Sequence, residues 1–133
     1  MDYVDANILI YAFDDDGKKG KASKELLSDP LTRFATSMLT LDEVAYKFFK
    51  LSKRSANDAS RVVSALSELP NLEFVPFLEE DISRFRQLLS AGFPPRDAIH
   101  LLCAEKTGCK ALYSEDRDFD RQKAIPRRVP WKK

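Results

Sequence analysis

Residues 94–104 read Pro94-Pro95-Arg96-Asp97-Ala98-Ile99-His100-Leu101-Leu102-Cys103-Ala104, and few folds can accommodate them. Two prolines stop whatever precedes, since neither offers a backbone N–H and each fixes φ. An acid follows at once, then a nearly unbroken apolar run. The pattern predicts a buried helix with Pro95 near its first turn and Asp97 just inside it. A helix start has free N–H groups and a partial positive charge, so an ionised Asp is stabilised there. Taken alone, Asp97 is a helix-start acid and nothing more. Three other acids, Asp5, Glu43 and Asp116, sit in equally apolar settings, and the group needs a further explanation.

A buried helix needs layers around it, and the rest of the chain supplies them. Tyr3-Val4-Asp5 opens as a strand. Asn7 to Phe13 continues apolar, and length alone leaves it open between strand and helix. Asp14-Asp15-Asp16-Gly17 breaks the run. It lacks the alternating acids and distant Glu of a calcium loop, so a solvated helix exit is the plainer reading. Lys18 to Ser28 reads as a polar helix. Arg33 to Ser37 is a strand, and Ser37 or Thr40 caps a helix that runs through Lys50. On that helix Leu41, Val44, Ala45 and Phe48 form one stripe, while Leu39, Glu43, Tyr46 and Phe49 lie on the other side, so Glu43 is expected to be partly buried. Ser55 to Leu69 is amphipathic. Leu72 to Val75 is a strand by residue type. Glu79 to Ala91 is a helix with Ile82, Phe85, Leu88 and Leu89 inward, closed by Gly92. Lys110 to Ser114 is the last strand, followed by an acidic loop, Glu115 to Asp120. The tail carries Arg121, Lys123, Arg127, Arg128, Lys132 and Lys133 with Trp131. Short strands alternating with helices predict an α/β fold, a parallel sheet covered by helices on both faces.

At 133 residues and 44% hydrophobic composition, residues 1–133 fit one domain with a real core. A formal net charge of +1 excludes a strong overall field for polyanions, leaving local patches or metal to hold them. Met1-Asp2 begins no basic, apolar leader, and no run is long enough to span a bilayer, so neither secretion nor a membrane is expected. Cys103 and Cys109 are too few and too badly spaced for zinc. Free thiols in a reducing cytoplasm are the expectation.

In a parallel α/β sheet, sites form outside the carboxyl ends of the strands. Asp5 and Asp116 follow strands, and Asp97 starts a helix that often faces that edge. Glu43 joins them if its helix packs there. Two such carboxylates at about 4 Å repel by roughly 4 kcal/mol at an effective dielectric of 20. No Lys or Arg lies inside the apolar motifs, and Arg96 is the nearest. A hard divalent cation, Mg²⁺ or Mn²⁺, is the other counter-charge, and such ions carry phosphate chemistry.

The motifs carry a resemblance as well. Tyr3-Val4-Asp5-Ala6-Asn7-Ile8-Leu9-Ile10-Tyr11 resembles the opening of PIN-domain ribonucleases. Thr40-Leu41-Asp42-Glu43-Val44 resembles their second acid motif, and Asp97 to Ala104 the third. Leu112-Tyr113-Ser114-Glu115-Asp116-Arg117-Asp118-Phe119 resembles the fourth. They occur in the family's order and bracket nearly the whole chain, whose size is similar to that of the VapC toxins. The resemblance implies a PIN-like fold, a short central parallel sheet flanked by helices. It also implies a metal-dependent endoribonuclease acting on single-stranded RNA, with Mg²⁺ as cofactor and Mn²⁺ as substitute. By match, Asp5, Glu43, Asp97 and Asp116 form the acidic quartet, with Asp118 a fifth metal-ligand candidate. A homodimer and a small antitoxin partner are further implications. The chain departs from the pattern at His100, where small or aliphatic residues are common, and at Ser114, where Thr is commoner.

Other residues have plainer readings beside functional ones. His100, one turn after Asp97 on the same face, is either a satisfied helix histidine or a proton shuttle. Asn7 and Ser114 either orient Asp5 or Asp116, or are turn residues. Lysines 18, 19, 21, 24, 47, 50 and 53, with Arg54, are either a solvated surface or phosphate contacts. Tyr46, Phe48 and Phe49 are core or partner-facing. A haloacid-dehalogenase-type phosphatase also places Asp after its first strand, but needs an acid where Asn7 stands. A non-catalytic PIN-like module binding RNA or protein is the alternative function, and the intact quartet speaks against it.

Overall fold

Among the residues the structure describes, five strands form one sheet. They are β1 (Asp2–Val4), β2 (Phe34–Ser37), β3 (Leu72–Val75), β4 (Leu112–Tyr113) and β5 (Arg127–Arg128). Their order is β3-β2-β1-β4-β5, and every neighbouring pair is parallel. The structure is a computed structural model that describes residues 1–51 and 56–132. Six helices connect the strands: α1 (Ala6–Asp14), α2 (Lys18–Leu27), α3 (Leu39–Tyr46), α4 (Ala56–Ser67), α5 (Ile82–Ser90) and α6 (Pro95–Lys106).

Strand alternation divides the core into two layers. Tyr3, Ala35, Val75 and Leu112 point to one face, where Leu88 of α5 and Leu101 and Leu102 of α6 pack on them. Val4 and Phe34 point to the other, against Ile8 and Leu9 of α1, Val44 of α3 and Leu66 of α4. Helices cover both faces, as expected. Each fully buried Leu, Ile or Phe stabilises by roughly 1.5–3 kcal/mol, which is the reserve against which unpaired acids can be held.

Helix α6 is the buried helix that its sequence predicts, with Pro95 in the first turn and Ala98, Leu101, Leu102, Cys103 and Ala104 all buried. It ends at Gly108, whose φ of 65° is left-handed and favours glycine. The ambiguity after β1 resolves to a helix. The Asp5 carboxylate accepts the Ala6 N–H at 2.7 Å and starts α1 there. Asp15 does more than face solvent. Its two oxygens accept the N–H groups of Gly17 and Gly20 at 3.0 and 2.9 Å and fix the entry to α2. A Cβ on Gly20 would lie 1.7 Å from the Asp15 carbonyl oxygen, so only glycine fits.

One open choice is settled, two expectations change and one strand is new. Ser37, not Thr40, serves the start of α3, its hydroxyl accepting the Leu39 N–H at 3.0 Å, while Thr40 bonds Thr36 inside. The α-helical winding stops at Tyr46 and widens into a π-helical segment, Lys47–Leu51. On α5, Ile82 and Leu89 face outward, and the inward stripe runs through Asp81, Phe85 and Leu88. Asp81 occupies the inner position because Lys106 and a backbone N–H satisfy its charge. The strand β5 was not foreseen, because two arginines after a proline carry no alternation. The expected roles of Lys53, Arg54 and Ser55 lie outside the described residues.

Candidate active site

The sheet order creates a crevice before any side chain is considered. From β1 the chain moves outward through β2 to β3, then returns to β4 on the other side of β1. At such a reversal the carboxyl ends of neighbouring strands open a cleft. Asp5 follows β1, and Ser114 to Asp116 follow β4. The two segments are held side by side by the Asp5 N–H donating to the Tyr113 carbonyl at 2.9 Å. Helix α6 begins at this edge and brings Asp97, and α3 brings Glu43. Asp5, Glu43, Asp97 and Asp116 line one cleft of about 480 Å³, with Lys47 and Arg96 also on its wall.

Hydrogen bonds set the acids in place. The Ser114 hydroxyl donates to Asp5 Oδ2 at 2.6 Å and accepts the Asp116 N–H at 3.0 Å. Asn7 Nδ2 donates to Asp5 Oδ2 at 3.2 Å, and its Oδ1 accepts the Glu115 N–H at 3.3 Å. Asn7 and Ser114 therefore stitch the end of β1 to the loop after β4. Asp116 Oδ1 accepts the Asp118 N–H at 2.9 Å and starts a 3₁₀ turn, Arg117–Arg121. That turn brings the carboxylate of Asp118 to those of Asp97 and Asp116, with ligand atoms within 4.8 Å of one another.

His100 is wholly buried between the acids and the sheet. Its Nε2 lies 2.6 Å from Glu43 Oε1 and 3.3 Å from Asp5 Oδ1, and its Nδ1 lies 2.6 Å from the Tyr3 hydroxyl. That hydroxyl also accepts the Ser37 N–H at 2.9 Å, and His100 carries a proton on Nε2 between two carboxylates. The Nε2 proton then points at Glu43. Burial alone would lower the His100 pKa, but the charges of Asp5, Glu43 and Asp97 outweigh it and hold the imidazole above its ordinary value. The sequence placed His100 on the right face. It missed Tyr3 as the partner, a contact between residues 97 positions apart. The available signal was alternation, which turns Tyr3 toward α6.

Asp97 is the strained member. It is 8% exposed, and its carboxyl is pushed up to about 7, first by burial, then by Asp116, with Asp5 and Asp118 adding to it. No basic side chain pairs with Asp97 or Asp116 among the described residues. The candidate ligands fall into two groups: Asp97, Asp116 and Asp118 offer oxygen donors only, while Asp5 and Glu43 cluster with His100. The first group fits a hard divalent cation. Of the sequence's basic candidates, Lys19 is paired with Glu115 at 2.5 Å, and Lys50 sits 5.2 Å from the Phe49 ring. Lys18, Lys21 and Lys24 are exposed.

Known proteins resemble this chain in sequence and in fold. The PIN domain model matches residues 3–125. Ribonuclease VapC1 of Aquifex aeolicus is 26% identical over 121 residues, 88% of this chain and 82% of that protein. A toxin–antitoxin complex from Klebsiella pneumoniae contains a chain 23% identical, with a TM-score of 0.73 and 98% of each chain covered. VapC20 of Mycobacterium tuberculosis, described as a sarcin–ricin loop cleaving toxin, is 16% identical. Its TM-score is 0.72, over 90% of this chain and 93% of that one.

Proposed function

This chain belongs to the PIN domain family, and from that premise we propose that it is a metal-dependent endoribonuclease, the toxin of a toxin–antitoxin pair. The single observation that carries the reading is the convergence of Asp5, Glu43, Asp97 and Asp116 on one cleft with no basic side chain paired to Asp97 or Asp116 among the described residues. A fold that only needed helix caps would not bring its acids together at a repulsion of roughly 4 kcal/mol per close pair. In the proposal Asp97, Asp116 and Asp118, with Asp5 and Glu43 opposite, hold Mg²⁺ or Mn²⁺. When bound, the ion supplies a polarised phosphoryl oxygen and a water of lowered pKa.

The chain's own residues do the rest. Ser114 and Asn7 orient Asp5 through hydrogen bonds to the oxygen that does not cap α1. His100 aims Glu43 into the cleft and is itself held by Tyr3. Arg96 and Lys47 stand on the wall, where a substrate phosphate can be neutralised. Cleavage of a single-stranded RNA by the pure protein in Mg²⁺, abolished by EDTA and by Asp97→Asn, tests the reading. Equal cleavage by both proteins would assign the activity to a contaminant.

Partner surfaces follow from α3 and the turn after it. Phe48 is buried, but Tyr46 and Phe49 are 54% and 45% exposed. These exposed aromatics, of which Tyr46 lines the acid cleft, support a homodimer and the seating of an antitoxin segment. Light scattering of the free chain and of the chain with its genomic neighbour tests both.

A further inference from the structure

A second cleft, of about 440 Å³, is lined by Glu115 and Arg117 of the loop that carries Asp116 and by residues of the tail from Arg127 to Lys132. The two clefts share a wall. Asp116 lines the acidic cleft, while its chain neighbours Glu115 and Arg117 line the second one, one residue away on either side. Arg127 makes the wall rigid. Its Nη1 donates to the Ser114 carbonyl at 3.1 Å, and its Nε and Nη2 donate to the two oxygens of Asp120 at 3.0 and 3.2 Å. The loop, β5 and the end of β4 are thereby one unit with the acid site.

The charge and ring content of this cleft is unlike a solvated surface. Its one acid, Glu115, is already neutralised by Lys19 at 2.5 Å and also accepts the Tyr11 hydroxyl. Arg127 is used by Asp120. Arg117, Arg128 and Lys132 also line the cleft, are exposed, and join no ion pair among the described residues. Three free cations in a molecule whose formal net charge is +1 are a local concentration, not a share of a general field. Among them stands Trp131. Its ring is held edge-to-face on Tyr11, with centroids 5.6 Å apart at 88°, and Lys19 Nζ lies 5.1 Å from its centroid. A fixed, half-buried aromatic ring beside unpaired Arg and Lys is the combination that binds single-stranded nucleic acid, the ring stacking a base and the cations holding phosphates.

We propose that the Trp131 cleft is a nucleotide subsite. A base of single-stranded RNA stacks on Trp131, its flanking phosphates lie on Arg117, Arg128 and Lys132, and the strand crosses the Glu115–Arg117 loop into the acid cleft. The proposal rests on the ribonuclease reading and adds the path of the strand. An acidic peptide is the competing occupant. It would use the cations but not the ring, and it has no reason to run on into a pocket of carboxylates.

Trp131 is the only tryptophan of the chain, so its fluorescence reports the surroundings of this one ring; the ring also borders a hollow lined by Lys18 and Lys21, and the Arg128 and Lys132 variants tell the two apart. The full chain is titrated with an oligouridylate in EDTA, so that bound RNA is not cut, while anisotropy of a labelled strand gives affinity independently. We expect saturable quenching that tracks the anisotropy. Arg128→Ala with Lys132→Ala should lower the slope of log affinity against log salt by about 0.7 per cation removed. Trp131→Ala should weaken binding at least about fivefold, and Trp131→Phe should restore most of it. Normal RNA affinity with silent Trp131 fluorescence and unchanged salt slopes would overturn the subsite. Mg²⁺-dependent cleavage by the same protein would then leave the nuclease reading standing. Polyglutamate that quenches as strongly as RNA would reassign the cleft to a peptide. Absence of both binding and cleavage would remove the subsite together with the reading beneath it.

Discussion

The two ends of helix α6 handle a buried acid in opposite ways. Asp97 at its start and Asp81, packed against its end, are each 8% exposed. Asp81 has a cation, Lys106 of the last turn, at 2.7 Å, and it also accepts the Leu78 N–H at 2.9 Å. Those bonds hold its carboxyl below the ordinary range. Asp97 has other acids instead, and its carboxyl is pushed up to about 7 by burial and by Asp116, Asp5 and Asp118. Burial alone thus says little about role. An acid kept with its counter-charge is structural, whereas one kept among its own kind marks a place where the counter-charge comes from outside the chain.

The contrast is broken most forcefully by removing one carboxylate at each end. Asp97→Asn should lower Mg²⁺-dependent RNA cleavage at least about a hundredfold. Asp81→Ala should leave turnover within about twofold. Comparable losses in single-turnover rates would show that α6 has no functional end.

Titration sharpens the same contrast, because the two acids act with opposite sign. A raised folded pKa makes the protonated form fit best. On account of Asp97, metal-free stability should therefore be fullest below about pH 4 and fall as pH rises through about 7, by about 4 kcal/mol at most. His100, also raised, acts in the same direction from its ordinary value upward. Asp81, lowered, contributes above about pH 4, and that stability is lost as pH falls through its folded value. Denaturant melts in EDTA from pH 4 to 8 should show Asp97→Asn flattening the loss at rising pH. A wild-type profile flat across that window would contradict the assignment.

Smaller effects separate structure from positioning. Asp81→Ala should destabilise by about 1–3 kcal/mol, since it leaves the Leu78 N–H without its acceptor and Lys106 with only the Pro76 carbonyl. Ser114→Ala should cost cleavage about tenfold through the loosened Asp5, with a change in melting midpoint of only a few degrees. Similar midpoints for Asp81→Ala and wild type would remove the structural half of the comparison.

Much of this was legible in the sequence, and the limits are physical. Helix α6 and four of the strands follow from apolar runs and alternation, Asp5 and Asp116 from their places after strands and Asp97 from a helix start, whereas Glu43 joins them through the resemblance of Thr40 to Val44 to an acid motif of the family. What failed depended on contacts between distant residues. Ile82 and Leu89 were expected inward, but Asp81 takes that face because Lys106, 25 positions on, neutralises it. Strand β5 is two arginines, and its edge pairing with β4 leaves no pattern along the chain. Glu43 is partly buried, as expected, and only the Tyr3–His100 pair that aims it went unseen, since it joins three elements no local window contains.

The central claim is that the acids at the start of α6 await a cation, and thermal melts of wild type and Asp97→Asn with and without Mn²⁺, at fixed ionic strength, test it without substrate. A ligand that binds only the folded state stabilises by RT ln(1 + [L]/Kd), about 2.7 kcal/mol at a hundredfold excess over Kd. For a domain of this size that is several degrees. The wild type should gain those degrees from Mn²⁺. Asp97→Asn should melt no lower than wild type in EDTA and should respond to Mn²⁺ far less. If Mn²⁺ moves neither midpoint, and Asp97→Asn melts lower than wild type in EDTA, Asp97 is an ordinary helix-start acid and the account is wrong.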